Sequence, residues 1–114
     1  MDAIQVTARL AIHDGKLEQF KELAAQCMQS VRKRDSGTLQ YDWFFNNNHT
    51  ECVVRETYKD SVAVLEHIAN LGPTLGEFLS VCDSAFEVYG PPSDELVKAT
   101  AGLGPRIYSP FQSI

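Results

Sequence analysis

The chain has 114 residues, 44% of them hydrophobic and 22% charged, the balance of one globular domain with a modest core rather than of a disordered segment. Its formal net charge of −5 argues against nucleic acid as a partner, because phosphate contacts need clustered Lys and Arg. No apolar run approaches the ~18 residues that span a bilayer, and the opening MDAIQVTARL has no basic stretch leading into an apolar one, so neither a membrane span nor a signal peptide is expected.

Residues 4–12 (IQVTARLAI) alternate, with Val6, Ala8, Leu10 and Ile12 on one face and Thr7, Arg9 and Ala11 on the other, which predicts a half-buried strand. HDGK breaks it. Leu17, Phe20, Leu23, Ala24, Cys27 and Val31 then recur at three- and four-residue spacing, the stripe of an amphipathic helix of about four turns. The helix is expected to end at RDSG, with Gly37 at the reversal and Arg32-Lys33-Arg34 as a solvated basic end favoured by the helix dipole. TLQYDWFF (38–45) is a second strand with Leu39, Tyr41, Trp43 and Phe45 on one face, NNNHT a hairpin turn, and ECVVRETY (51–58) a third strand. Asp60 is placed to cap a helix whose inward stripe is Val64, Leu65, Ile68 and Leu71. Pro73 suits the start of a second helical piece, TLGEFLSVCD, burying Leu75, Phe78, Leu79 and Cys82. AFEVYG (85–90) reads as a fourth strand.

The order β-α-β-β-α-β is the split βαβ plan of an α+β, ferredoxin-like sandwich, with helices on one face of an antiparallel sheet. One domain is expected over 1–114, with a core of about 3–90 and an extension over 91–114. In the extension Ser93 can cap a short helix stopping at Gly102, and Arg106 to Phe111 looks extended. Aromatic residues on both sides of the second strand, Trp43 and Phe45 against Phe44, predict that the sheet's other face is also covered. Either a second subunit or the chain's own tail can do this. Cys27, Cys52 and Cys82 are odd in number, widely spaced and set in apolar patterns, as expected for reduced buried thiols in the cytoplasm.

Gly37 and Tyr41 at a spacing of four, followed by Glu56, Tyr58, Asp60 and a helical His67, resemble the antibiotic biosynthesis monooxygenase family of dimeric α+β barrel domains. The resemblance covers roughly residues 3–90 and implies a homodimer with a pocket between sheet and helices in each subunit. It further implies a cofactor-independent monooxygenase oxidising a small aromatic quinol or phenol with molecular oxygen. The alternative is a non-catalytic domain of the same fold that binds a small ligand or serves a stress response. Tyr58 departs from the Trp that many members carry. The haem-degrading branch has a helix Trp followed ten residues later by a ligand His; here those places hold His67 and Glu77, so haem is not expected.

Strand alternation puts Cys52, Val54, Glu56 and Tyr58 on one face, and His67 lies about two helical turns past Asp60, roughly 10 Å of rise. A Glu56–His67 pair beside a pocket would orient the imidazole and raise its basicity, making His67 a proton acceptor. On that reading His67, Glu56 and Tyr58 are catalytic and Tyr41, Trp43, Val54 and Phe78 contact substrate. The structural alternatives are a hydrogen-bonded core histidine, a Glu56 that pairs with Arg9 or Arg55, and aromatics that simply fill the core. His13 and His49 read as exposed turn residues. No GxSxG, Walker, GxGxxG or HExxH pattern and no His/Asp/Glu cluster is present, so no metal or stored cofactor is expected.

Overall fold

The computed structural model describes residues 2–114. Its elements run β1 (Ile4–Ile12), α1 (Leu17–Arg34), β2 (Thr38–Phe45), β3 (Glu51–Tyr58), α2 (Ser61–Leu71), α3 (Pro73–Leu79), β4 (Cys82–Tyr89), α4 (Asp94–Thr100), a 3-10 turn (Ala101–Leu103) and β5 (Arg106–Tyr108). The sheet order is β2-β3-β1-β4-β5, antiparallel except for the β4–β5 pair. This is the α+β, ferredoxin-like plan, with one strand added by the tail. Among the described residues no helix is long and apolar enough to cross a membrane.

β1 sits centrally because its alternation supplies an unbroken apolar face: Ile4, Val6, Ala8 and Leu10 are all buried. They meet Phe20, Leu23 and Cys27 of α1, and Val64 and Leu71 of α2, on the helical side. Asp60 caps α2 as its position predicts, its Oδ1 accepting from the Ala63 N–H at 2.8 Å. All three cysteines are free and buried.

The second helical piece is shorter than its apolar pattern suggests. α3 ends at Leu79, and Cys82 opens β4 rather than closing a helix. Tertiary pairing decides this, since Cys82 lies opposite Ile12 and the His13 N–H donates to the Val81 carbonyl at 3.0 Å. On β2 a register shift between Thr38 and Gln40 turns Leu39 out, 67% exposed, and leaves Tyr41, Trp43 and Phe45 facing the helices.

The tail returns to its own sheet. Ser93 caps α4, which ends at Thr100 with the 3-10 turn carrying the chain over Gly102 to a left-handed Gly104, and β5 then pairs with Glu87–Tyr89. β5 covers only the β4 edge, so Phe44, 55% exposed on β2, is not covered by it.

Candidate active site

Between the sheet and the helices lies a narrow chamber of about 90 Å³, walled almost wholly by apolar side chains. Tyr41, Trp43, Val54, Glu56, Tyr58, His67 and Phe78, the seven residues singled out in the sequence, all line it, as does Cys27. A wider groove of about 490 Å³ lies on the opposite sheet face, lined by Gln5, Thr7, Arg9, Gln40, Arg55 and Tyr89. The chamber is the better candidate because side chains able to exchange protons converge there.

His67 does not border the buried stripe of α2 but sits inside it, 6% exposed between the rings of Tyr41 and Tyr58 at centroid distances of 5.2 and 5.3 Å. Its hydrogen-bond partner is not Glu56. Nδ1 lies 2.8 Å from Oδ2 of Asp35, a residue read in the sequence only as part of a turn. Asp35 also accepts from Thr38 Oγ1 at 2.7 Å and from Asn70 Nδ2 at 2.9 Å. Burial alone would raise its carboxyl; hydrogen bonds from Asn70, Thr38 and His67 outweigh it and hold the pKa below the ordinary value. Burial lowers the His67 pKa against the opposing pull of Asp35. The pair is therefore a carboxylate accepting Nδ1–H from a neutral imidazole, and Nε2, with no partner among the described residues, is the nitrogen able to take a proton.

The chain reaches this arrangement through Gly37. A Cβ there would lie 2.5 Å from the Ala63 Cβ, so only glycine lets the loop after α1 press against the first turn of α2. The reversal expected at Gly37 is real, but close approach is what requires the residue. The same loop is fixed by the Ser36 N–H donating to Glu66 Oε1 at 2.8 Å and by Arg34 Nη1 donating to the Asn70 carbonyl at 3.0 Å. Asn70 lies three residues after His67 and four after Glu66, so it neighbours both on α2. Together the three grip residues 35–36.

Glu56 pairs neither with Arg9 nor with Arg55. Arg9 points to the other side of the sheet, where it meets Glu87 at 3.2 Å, and the Tyr58 hydroxyl donates to Glu56 Oε1. Glu56 is half-buried and lines the chamber, and burial raises its pKa to about 7 despite the bond from Tyr58. Burial and then the Glu56 charge push the Tyr41 and Tyr58 hydroxyls far up, so both stay protonated. Burial likewise lifts the Cys27 thiol to about 11, which leaves it a poor nucleophile. The buried indole N–H of Trp43 has no hydrogen-bond partner. The arrangement offers one base, one carboxyl poised near neutrality and several hydroxyl or N–H donors in a site of low polarity. Among the described residues no three His, Cys, Asp or Glu side chains are grouped to hold a metal ion.

Of these residues, sequence reasoning missed Asp35. Its type and place, an acidic residue just past a basic helix end and two before a glycine, fit a cap or turn equally well. Nothing local signals a partner 32 positions downstream.

Residues 3–70 match a family model described as antibiotic biosynthesis monooxygenase. Among solved structures, MupZ from Pseudomonas fluorescens is similar at 26% identity and a TM-score of 0.87, over 99% of this chain and 88% of that one. Rv0793 from Mycobacterium tuberculosis aligns at 19% identity and a TM-score of 0.68, covering 81% and 97% of the two chains. SnoaB from Streptomyces nogalater, described as a cofactor-independent oxygenase, aligns at 14% identity and 0.69, covering 82% and 96%. The last two likenesses concern the fold. No curated protein sequence matches the chain.

Proposed function

Because the chain belongs to the antibiotic biosynthesis monooxygenase family, we propose that it is a cofactor-independent monooxygenase acting on a phenol or quinol in the chamber, with His67 as the base. The observation that carries this is the Asp35–His67 pair set in an apolar chamber. Asp35 fixes the imidazole tautomer, and Nε2 takes the proton from the substrate hydroxyl. The phenolate passes one electron to oxygen, and the resulting radical and superoxide join through a new C–O bond. His67 returns the proton to the peroxide. Breaking the O–O bond with loss of water then leaves a carbonyl at the former C–H carbon. A quinol plus oxygen thus gives a hydroxyquinone plus water. Tyr41, Trp43, Val54 and Phe78 would hold the ring, and the apolar walls keep water from the radical pair.

Oxygen uptake by chelator-treated protein, measured against a panel of quinols and phenols beside His67→Ala, tests this. The expected result is protein-dependent uptake that falls by about 10²-fold or more in the variant, with ligand affinity changed much less. A folded His67→Ala that turns over normally would sink the role of His67.

One observation favours a second reading. Glu56, held near neutrality by burial and bonded to Tyr58, is an acid that phenolate oxygenation does not need. Facing a base across an apolar space, it suits proton transfer to and from an oxygen-bearing ligand without oxygen consumption. Ligand conversion at zero oxygen uptake, lost in Glu56→Gln, would favour it. In either case two chains are proposed to pair through the open sheet face, where Phe44 is exposed; a native mass of one chain only would refute that.

A further inference from the structure

The chamber has two unlike ends. Tyr41 and Glu56 line it from β2 and β3, with His67 against the Tyr41 ring; Ile107 lines it from β5, the opposite edge of the sheet, together with Leu96, Val97, Leu103 and Pro105 of the same C-terminal extension. These five residues fall outside the stretch that matches the family model. The extension supplies no carboxylate, amine or imidazole to the lining, and its one hydroxyl there, on Thr100, already donates its proton to the Leu96 carbonyl at 2.8 Å. The carboxyl, imidazole and phenol groups able to bind a ligand's polar atoms therefore all lie outside the extension. Trp43, edge-on to Tyr41 at a centroid distance of 5.5 Å, has a buried indole N–H with no hydrogen-bond partner among the described residues.

The space is also too small as it stands. At about 90 Å³ it falls below the ~150 Å³ of an apolar cavity that accepts benzene. Ligand entry requires a wall to yield, and the walls differ in how they are held. α2 buries five residues, Ser61, Ala63, Val64, His67 and Leu71. α4 buries only Leu96, the 3-10 turn buries none, and β5 is exposed throughout its three residues.

We infer that the C-terminal segment 92–107 is the chamber's yielding wall and sets its specificity: the site takes a hydroxylated ring carrying an apolar arm, with the ring oxygen at the Tyr41–Glu56–His67 end and the arm beneath Leu103 and Ile107. This rests on the chamber being the substrate site. A bare phenol displaces the segment least, and each carbon added to the arm displaces it further and exchanges water for its apolar inner face.

The test is binding of phenol, 4-ethylphenol, 4-butylphenol and 4-hexylphenol, read by the emission of Trp43, the only tryptophan. Affinity is expected to rise about fourfold per methylene over the first several carbons, the factor equivalent to ~0.8 kcal/mol for a buried CH₂. In Leu103→Ser and Ile107→Ser the increment should fall toward none, with the loss of affinity growing from phenol to 4-hexylphenol. Both side chains are more than a third exposed, so the variants should keep the fold, which circular dichroism checks. Phenol binding with no dependence on chain length, or an increment unchanged in both variants, overturns this inference and leaves the oxygenase reading standing. No binding of phenol or any homologue overturns both.

Discussion

At the polar end of the chamber the backbone after α1 is tied to α2 by side chains from both partners, and Gly37 lets the two press together without a Cβ between them. At the apolar end a seven-residue helix is anchored by one buried residue, Leu96, and by the Ser93 N–H donating to Ser61 Oγ at 2.9 Å, and a three-residue strand is held at the sheet edge by its pairing with β4 and by the Gly90 N–H donating to the Tyr108 carbonyl at 3.0 Å. The first construction suits chemistry, where a proton acceptor displaced by 1 Å loses much of its rate. The second suits admission, where a wall that yields costs little. Rigidity and access are assigned to different stretches of sequence, so one can be altered without the other.

That division can be broken in order of effect. Asp35→Asn should be the most damaging change, lowering turnover by on the order of 10²-fold or more, since an amide no longer fixes the Nδ1–H tautomer or offsets charge on the imidazole. Steady-state oxygen uptake over pH checks it. A rate near that of the parent protein would show that the clamp is structural only.

Glu56→Gln should act on stability rather than loop position. The folded state keeps a proton on Glu56 to about pH 7, whereas the unfolded chain releases it near the ordinary 4.5. Its contribution is therefore full below pH 4.5 and lost as pH rises toward 7. His67 works in the opposite sense. Its folded pKa lies below 6.5, so stability from that group falls as pH drops below 6.5 and the imidazole must charge. Denaturant melts between pH 4.5 and 7 should thus show the variant gaining stability with pH more steeply than the parent. Parallel curves would mean that Glu56 is not held protonated by the fold.

Tyr108→Ala, at the far end, should be the mildest. It removes an exposed ring stacked on Tyr89 at 5.3 Å and should change global stability by no more than about 0.5 kcal/mol. It should nonetheless speed hydrogen exchange at Tyr108 and Gly90 well before it affects α2. Equal acceleration in α2 would show that the two ends open together.

The contrast also marks what a sequence discloses. β1, α1 and β3 were legible because burial on one face imposes a period of two or of 3.6, and Asp60, Pro73 and Ser93 punctuate where capping physics requires. The seven candidate lining residues were legible from strand phase and the family pattern, and all reach the chamber. Their pairing was not. Whether His67 meets Glu56 or Asp35 depends on how closely two distant segments approach, and the determinant, the missing Cβ of Gly37, reads locally as nothing more than a turn. Cys82 misled for a related reason: an apolar residue at the end of a helical stripe is also a good first residue for a strand, and only Ile12 across the sheet decides between them.

The position of β1 has a consequence for biosynthesis. The strand's partners lie far along the chain, since Ile4 pairs with Tyr58 on one side and Gln5 with Tyr89 on the other. As the nascent chain emerges, one hydrogen-bonding edge of this apolar strand stays open until β3 is made and the other until β4 is made. Pairings so distant along the chain make for slow folding and a long-lived sticky intermediate. For this protein the hazardous interval falls at the ribosome, before α4 and β5 have been translated.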